Sequence, residues 1–523
     1  MAAVAAAWAH ARGGLALGAA GEPDSPPPEG GWDAITNVDY ETSPAEGRVA
    51  RAVARRYGAL TYVALIDGDA AAQAQRGAQL ETALSTLRPR GMHEESFAGR
   101  APRPIDAARA DELDAFIAGA LARLEVPGAA VAVVRGGEVV YERAFGVRAL
   151  GKGEPVTPQT LFMMGSITKP MTTLLQAALV DAGKLGWDTP LARVLPGFAL
   201  GDEGVTGRLA LWHTACACTG MPRRDLEILF EYEGVTPERR LASMKTMRPT
   251  TALGETFQYS NLMVAAGGYA AARAFDPRRP LGDAYAAAMR RLVFEPIGMA
   301  SSTLDFGAAG RAEHATPHAL GVDGAPRPVA LAAERNVVPI APAGGVWSNL
   351  RDMERYALTE LARGVAPGGR RVASAANVVE RWKLRVRDGD GEDSGYGLGM
   401  GVGPYRGLAS IGHDGGTHGF GTTLFLLPEA DAGIVILTNV RNGGDFAQLP
   451  FNAAVQRRLL EALFEGARPL AAAQVEYFAR AKRAAAARAG EGLERAPEPA
   501  WARGLAGTYA EASLGTVKLR ADA

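Results

Sequence analysis

The sequence predicts an α+β fold, in which an antiparallel sheet flanked by helices is completed by two distant stretches of chain around a helical subdomain. Two strand-like runs, Ala129 to Val134 and Glu138 to Phe145, are joined by Gly136-Gly137, a pair that tolerates positive φ and favours a hairpin. The residues from about 150 to 380 read as helices and loops. Strand character returns from Gly407 to Asn439, clearest over Thr422 to Leu427 and Gly433 to Thr438. Strands at both ends of one unit make a single sheet only if remote pieces of chain pair.

At 523 residues the chain exceeds what one hydrophobic core supports, about 250–300 residues. Residues 1–104 form a lead segment with a Pro-rich linker from Pro23 to Pro28, a strand from Thr61 to Ile66 and an Ala- and Gln-rich helix to about Leu87. Together these read as a small α/β unit whose role the sequence does not state. Arg100-Ala-Pro-Arg-Pro104 marks a boundary. The main unit, residues 105–466, opens with a helix from Asp106 to about Leu124, where Leu113, Phe116, Ile117 and Leu121 recur near helical spacing. After the hairpin, Ser166 opens a second helix to about Ala182, apolar through Leu174, Leu175, Ala178 and Leu179. Residues 467–500 are rich in Ala and Arg and read as a helical linker. Leu505 to Tyr509 and Leu514 to Leu519 read as the first two strands of a β unit that residues 501–523 leave incomplete, since a closed barrel takes about eight strands.

Hydrophobic content of 47%, 22% charged residues and a formal net charge of -1 describe an ordinary globular chain. Without a basic excess there is no electrostatic footprint for nucleic acid or an anionic membrane. No run reaches about 18 apolar residues, so no transmembrane span is expected. The Ala-rich start, Met1 to Ala20, lacks a basic leading region and is interrupted by His10 and Arg12, a poor secretion signal that leaves a cytoplasmic location as the default. The two cysteines, Cys216 and Cys218, are one residue apart. A bridge between such near neighbours is expected to be strained, so two thiols in packing or loop roles are the expectation. No metal set is visible: His314 and His318 are four apart, but Pro317 breaks the helix that would align them.

Three short clusters carry chemistry. In Gly165-Ser166-Ile-Thr-Lys169, a serine at a helix start has a lysine one turn on, on the same face. A serine hydroxyl needs a base, and a desolvated lysine can be neutral where an arginine cannot. Only seven of the 56 basic residues are lysine, so a lysine here is conspicuous against the bland alternative of a capping serine and a surface lysine. In Tyr259-Ser260-Asn261 a phenol can relay a proton and a carboxamide can hold the lysine and a substrate amide. In Gly412-His413-Asp414-Gly415-Gly416-Thr417 a glycine-dense strand edge admits a substrate backbone and frees an N–H for a developing oxyanion. Gly165-Ser166 does not make a G-x-S-x-G elbow, which sets aside an α/β-hydrolase.

The order Ser-x-x-Lys, Tyr-x-Asn, His-x-Gly resembles the serine β-lactamase and penicillin-binding-protein superfamily, in particular its class C β-lactamase, DD-peptidase, D-aminopeptidase and family VIII esterase branch. Further matches are Leu211-Trp-His-Thr214, Thr219-Gly-Met-Pro222, Phe294 to Met299, Gly344 to Ser348 with Asp352, Tyr396 to Gly399 and Leu437-Thr-Asn439. The resemblance spans about residues 106 to 465. It implies a β-lactamase/transpeptidase-like fold and a serine hydrolase working through an acyl-enzyme on a small-molecule or peptide substrate, with no cofactor or metal. It further implies Ser166 as nucleophile, Lys169 as its base partner, Tyr259 as a second proton relay and Asn261 as ligand of the lysine and substrate. The N–H groups of Ser166 and Gly416 would form the oxyanion hole beside His413 and Gly415. Which of Lys169, Tyr259 and His413 is the base stays open. By analogy the branch implies a periplasmic or secreted location, against the default above.

Departures from the family pattern narrow the activity. His413 stands where efficient β-lactamases of this branch carry lysine, which favours a peptidase acting on D-residues or an esterase over a β-lactamase; against a penicillin-binding sensor with a dead site stand the intact Ser166, Lys169, Tyr259 and Asn261. Asp414 replaces the usual threonine. His213-Thr-Ala-Cys-Ala-Cys-Thr-Gly220 lengthens the usual His-Thr-Ser-Gly and carries both cysteines. The segment from Leu505 resembles the start of the lipocalin-like domain of some relatives.

Overall fold

The predicted sheet forms from both ends of the main unit. In a computed structural model that describes residues 1–12, 17–389, 393–441, 449–466, 468–493, 498–511 and 515–520, its strands β4 (Gly128–Arg135) and β5 (Glu138–Gly146) pair as a hairpin. Gly136 and Gly137 both take positive φ at its turn. The other five strands are β6 (Gly395–Tyr396), β7 (Gly401–Tyr405), β8 (Leu408–Gly416), β9 (Gly421–Leu427) and β10 (Ala432–Thr438). All seven are antiparallel, in the order β6-β7-β8-β9-β10-β4-β5. Thr438 pairs with Ala129, which closes the sheet between its two remote halves.

Strand β4 shows how the layers are set. Its residues Ala129 to Val134 are all fully buried. Alternate side chains go to opposite faces: Ala130, Ala132 and Val134 join one core, Ala129, Val131 and Val133 the other. The second core is capped by α3 (Ala107–Leu124) and α8 (Pro450–Phe464), through Leu113, Ile117, Phe451 and Leu459. The larger first core holds the helical subdomain, with α4 (Thr168–Asp181) at its centre and α5 (Asn261–Phe275) and α6 (Leu350–Leu361) beside it. Asp106 caps α3, accepting from the Arg109 N–H at 2.9 Å. Among the described residues no helix is long and apolar enough to cross a membrane.

The lead segment holds the expected strand and helix within a larger unit: an antiparallel sheet of β1 (Ala34–Tyr40), β2 (Arg48–Tyr57) and β3 (Leu60–Asp69), flanked by α1 (Ala2–Arg12) and α2 (Ala70–Thr86). The reading missed β1 and β2 because arginines and polar residues interrupt their apolar alternation. The sheet's inner face is nonetheless closed by Val4 and Trp8, with Trp8 edge-on to Tyr40. The segment is tied to the main unit where Phe97 stacks on Phe464, ring centroids 4.7 Å apart. The expected linker contains α9 (Ala471–Gly490), and the following strands form a hairpin, Gly507–Glu511 with Gly515–Leu519. Residue 467 and residues 494–497 of that linker, and 512–514 and 521–523 beyond it, lie outside the described residues.

A correction concerns the cysteines. Cys216 and Cys218 form a disulfide, with Cα atoms 5.2 Å apart, inside the ordinary range. The intervening Ala217 adopts left-handed φ of 53°, which turns the chain back on itself and brings the two side chains together. This loop also props its neighbours: the carbonyls of Ala215, Ala217 and Cys218 accept from the N–H groups of Gly399, Gln258 and Gly254.

Helix α4 is anchored by a buried ion pair. Arg381 and Glu360 are fully buried, and Arg381 donates to both Glu360 oxygens, to Thr173 Oγ1 and to the Pro170 carbonyl. Replacing Arg381 by Met strands a buried carboxylate, so urea unfolding is expected to show a loss of about 3–5 kcal/mol, largely recovered when Glu360→Leu is added. For the cysteines, the unreduced protein is expected to gain no iodoacetamide mass even when denatured, and two adducts after reductant. Adducts without reductant would show free thiols.

Candidate active site

Ser166 sits on a turn built for close approach. Met164 leaves a short strand, Gly165 takes φ of 50°, and Ser166 follows in a single 3-10 turn before α4 begins at Thr168. A side chain on Gly165 would lie 2.8 Å from the Gly416 nitrogen, so the Ser166 turn and the end of β8 are in direct backbone contact. Gly415 meets the same demand from the other side, where a Cβ would fall 2.1 Å from the Met164 carbonyl oxygen. Thr422 Oγ1 donates to that carbonyl at 2.9 Å and fixes the pair.

Lys169 is wholly buried, and its Nζ lies 2.8 Å from Ser166 Oγ. The Nζ also donates to the Ala343 carbonyl at 2.7 Å. Burial pulls its pKa well below the ordinary lysine value, opposed by Asp225 and aided by Arg223. A neutral amine that spends one hydrogen on Ala343 keeps its lone pair for the serine proton.

Tyr259, in the loop before α5, donates to Ser166 Oγ at 2.8 Å. Burial raises its pKa, so the phenol is protonated at rest. Lys169 Nζ lies 4.7 Å and the Arg223 guanidinium carbon 5.0 Å from the centre of its ring.

Asn261 reaches a different partner from the one the motif implies. Its Nδ2 donates to Asp225 Oδ1 at 3.0 Å, and the lysine's contacts are Ser166 and Ala343. Asp225 also accepts from Arg223 Nε at 2.6 Å, so Arg223, Asp225 and Asn261 form a chain along the wall of the cleft.

His413 stands one layer back. Its Nδ1 faces the Asp414 carbonyl at 2.5 Å and its Nε2 faces Tyr396 Oη at 2.8 Å. A carbonyl only accepts, so Nδ1 carries the hydrogen and Nε2 accepts from the phenol. Burial pushes the imidazole pKa down to about 3, and a charged Lys169 would push it the same way, so the ring is neutral. Asp414 accepts from Thr423 Oγ1 at 2.6 Å, a bond to the residue it pairs with across the strands.

Ser166, Tyr259, Asn261, His413 and Gly416 line a cleft of about 560 Å³. Its lining also includes the apolar Ile228, Leu229, Val337 and Leu449 and the charged Arg223, Asp225 and Arg441. No cluster of three or more His, Cys, Asp or Glu suited to a metal occurs among the described residues. The rejected pair is spent on backbone: His318 lies 2.9 Å from the Asn439 carbonyl and accepts from Leu150 N–H, while His314 meets the Ala312 carbonyl.

The family model described as Beta-lactamase matches residues 113–457. The chain belongs to the beta-lactamase family. An unguisins hydrolase of Aspergillus campestris is 30% identical over 343 residues, 62% of this chain and 61% of that protein. Penicillin-binding protein 4 of Amycolatopsis lactamdurans is 30% identical over 328 residues, 60% of this chain and 81% of that protein. Among solved structures, the octameric penicillin-binding protein homologue of Pyrococcus abyssi aligns with a TM-score of 0.56 at 22% identity, covering 67% of this chain and 76% of that one. The D-alanine carboxypeptidase AmpC of Burkholderia cenocepacia aligns at 0.51 and 22%, covering 68% of this chain and all of that one. The fold is therefore that of the beta-lactamase family, as its sequence motifs imply.

Sequence reasoning missed Arg223, Asp225, the Ala343 carbonyl and Glu334. The first two directly follow Thr219-Gly-Met-Pro222, a signal that was available. A carbonyl has no sequence signature. Glu334 sits in Ala333-Glu334-Arg335, which looks like solvent-facing helix, yet it is completely buried.

Lys169 ties stability to pH. Its folded pKa lies below the unfolded value near 10.5, so the unfolded state binds the extra proton between those limits and stability rises with pH there. The stability of the native protein minus that of Lys169→Met is expected to grow by up to about 1.4 kcal/mol per pH unit between pH 7.5 and 9.5 in urea unfolding. A flat difference would mean that the lysine is charged in the folded protein.

Proposed function

We propose that the protein is a serine hydrolase that cleaves amide or ester bonds through an acyl-enzyme on Ser166, acting on peptides with D-residues or on short acyl esters. The observation that carries this is a serine oxygen within 2.8 Å of both a buried lysine nitrogen and a tyrosine oxygen. That is the nucleophile–base arrangement acyl transfer requires.

In this reading Ser166 Oγ attacks the substrate carbonyl as its proton passes to Lys169. The carbonyl electron pair becomes an oxyanion held by the N–H groups of Ser166 and Gly416. Collapse of that intermediate expels the amine or alkoxide, which takes a proton through Tyr259, and leaves the acyl group on Ser166. Water then attacks the ester, its proton returning through the same groups, and the acid departs. Asn261, oriented by Asp225, offers its carboxamide oxygen to a substrate N–H. His413 is neutral and brings no charge to the oxyanion strand, which supports a peptidase or esterase over a strong β-lactamase. The names of curated relatives support the same range, since they include a hydrolase, a penicillin-binding protein and, from Burkholderia gladioli, an esterase, EstB.

The test is one plate with a p-nitrophenyl ester, a D-alanyl p-nitroanilide and a chromogenic cephalosporin. Ester or anilide turnover is expected to exceed cephalosporin turnover, and Ser166→Ala to lower it at least about 10³-fold. Full activity in Ser166→Ala removes the proposal. A β-lactam adduct on Ser166 that persists without any turnover assigns the protein instead as a penicillin-binding sensor.

A further inference from the structure

Glu334 is a completely buried carboxylate that the mechanism above does not use. It lies in the 3-10 segment Leu331–Ile340, just before the turn that carries the Ala343 carbonyl. Its oxygens are filled by donors from one place, the reversal between β8 and β9. Oε1 accepts from the Gly419 N–H at 2.8 Å and from Thr417 Oγ1 at 3.0 Å, and Oε2 accepts from the His418 N–H at 3.3 Å. Thr417 Oγ1 in turn accepts from the Phe420 N–H at 3.1 Å. The reversal is wrapped around this carboxylate as an anion-binding loop is wrapped around its ligand.

A tight reversal between two strands closes on its own backbone bonds, and here Thr417 N–H does donate to the Phe420 carbonyl at 3.1 Å. Burying a carboxylate beneath it costs several kcal/mol before any bond is made. A feature that expensive is explained by what it adjoins. Gly416, the last residue of β8, is bonded directly to Thr417 and touches the Ser166 turn through Gly165. Any tilt of the reversal therefore rotates the Gly416 peptide against Ser166. The same segment continues to Ala343, which holds the lysine. One short stretch of chain thus fixes the base and the far end of the oxyanion strand together.

We propose that Glu334 is a positioning residue for the oxyanion hole, its carboxylate holding the Thr417–Phe420 reversal so that the Gly416 N–H points at the oxygen of the tetrahedral intermediate. The inference rests on the acyl-enzyme reading, with Gly416 as an oxyanion donor. Because the oxyanion forms after binding, loss of the carboxylate acts on turnover and spares ground-state affinity.

The experiment compares Glu334→Leu, Glu334→Gln and Thr417→Val with the native protein on the p-nitrophenyl ester, with Ser166→Ala alongside. Glu334→Leu is expected to lose about 10²–10³-fold in kcat, the scale of a misplaced oxyanion donor, with KM changed less than about threefold. Glu334→Gln keeps an oxygen for Gly419 and Thr417 and is expected to recover at least about tenfold of that loss, while Thr417→Val loses about tenfold. Folding is followed by thermal melting. Where Glu334→Leu does not fold, Glu334→Gln and Thr417→Val decide alone, both losing kcat at constant KM. Native kcat in the folded variants, a loss confined to KM, or a glutamine no better than leucine overturns the proposal. Activity surviving in Ser166→Ala instead overturns the parent reading, whatever Glu334 does.

Discussion

An amine in a place without water is the constraint on which this structure turns. Lys169 points into the core, and its solvation is replaced by one carbonyl and one serine oxygen. Such a substitution keeps the amine neutral only if water is excluded, which is why α4 is buried over its first two turns. It also requires that the helix not shift. Arg381 grips the Pro170 carbonyl and Thr173 from one side, and Gly399 lies flat against the Lys169 carbonyl on another. A rigid ion pair deep in the protein is a poor source of net stability but a firm way to fix one helix against its neighbours.

Around that lysine, charge is arranged to be local. Arg223 and Asp225 neutralise each other beside Tyr259 and Asn261, and Arg441 stands near Glu334. Burial pushes Glu334 up to about 7, held down from a higher value by its three donors and by Arg441. Burial holds His413 neutral as it does Lys169, and a charge on Lys169 would disfavour a second one on His413. The cleft therefore sets a neutral serine, lysine, tyrosine and histidine among charges of both signs.

Much of this was legible in the residues. The hairpin at Gly136-Gly137, the late strands and the α4 helix follow from glycine conformations and apolar runs, which are local properties. That Ser166, Lys169, Tyr259 and the Gly415-Gly416 edge come together was legible from the order and spacing of their motifs. What escaped depends on where the chain folds back. Asn261 bonding to Asp225 is a fact about a loop 36 residues away. The buried Glu334 belongs to the reversal that it fills, and nothing near it in sequence marks it. The disulfide escaped for another reason: the argument from spacing assumed an ordinary backbone at Ala217, and the left-handed turn there removes the obstacle. The arginine-rich β2 escaped because its face toward α1 is made by Ala52 and Ala54, too small to stand out among the cations.

The closing of the sheet has a consequence for when the protein becomes active. Strand β4 is synthesised early, and its partner β10 follows roughly 300 residues later, a separation that makes the pairing slow to find. Ser166 belongs to the early half and Gly416 to the late half. A nascent chain therefore carries Ser166 through the synthesis of about 250 further residues before Gly416 exists beside it. On the acyl-enzyme reading proposed above, the topology is an interlock: the serine meets its oxyanion strand only once the late half of the sheet has docked.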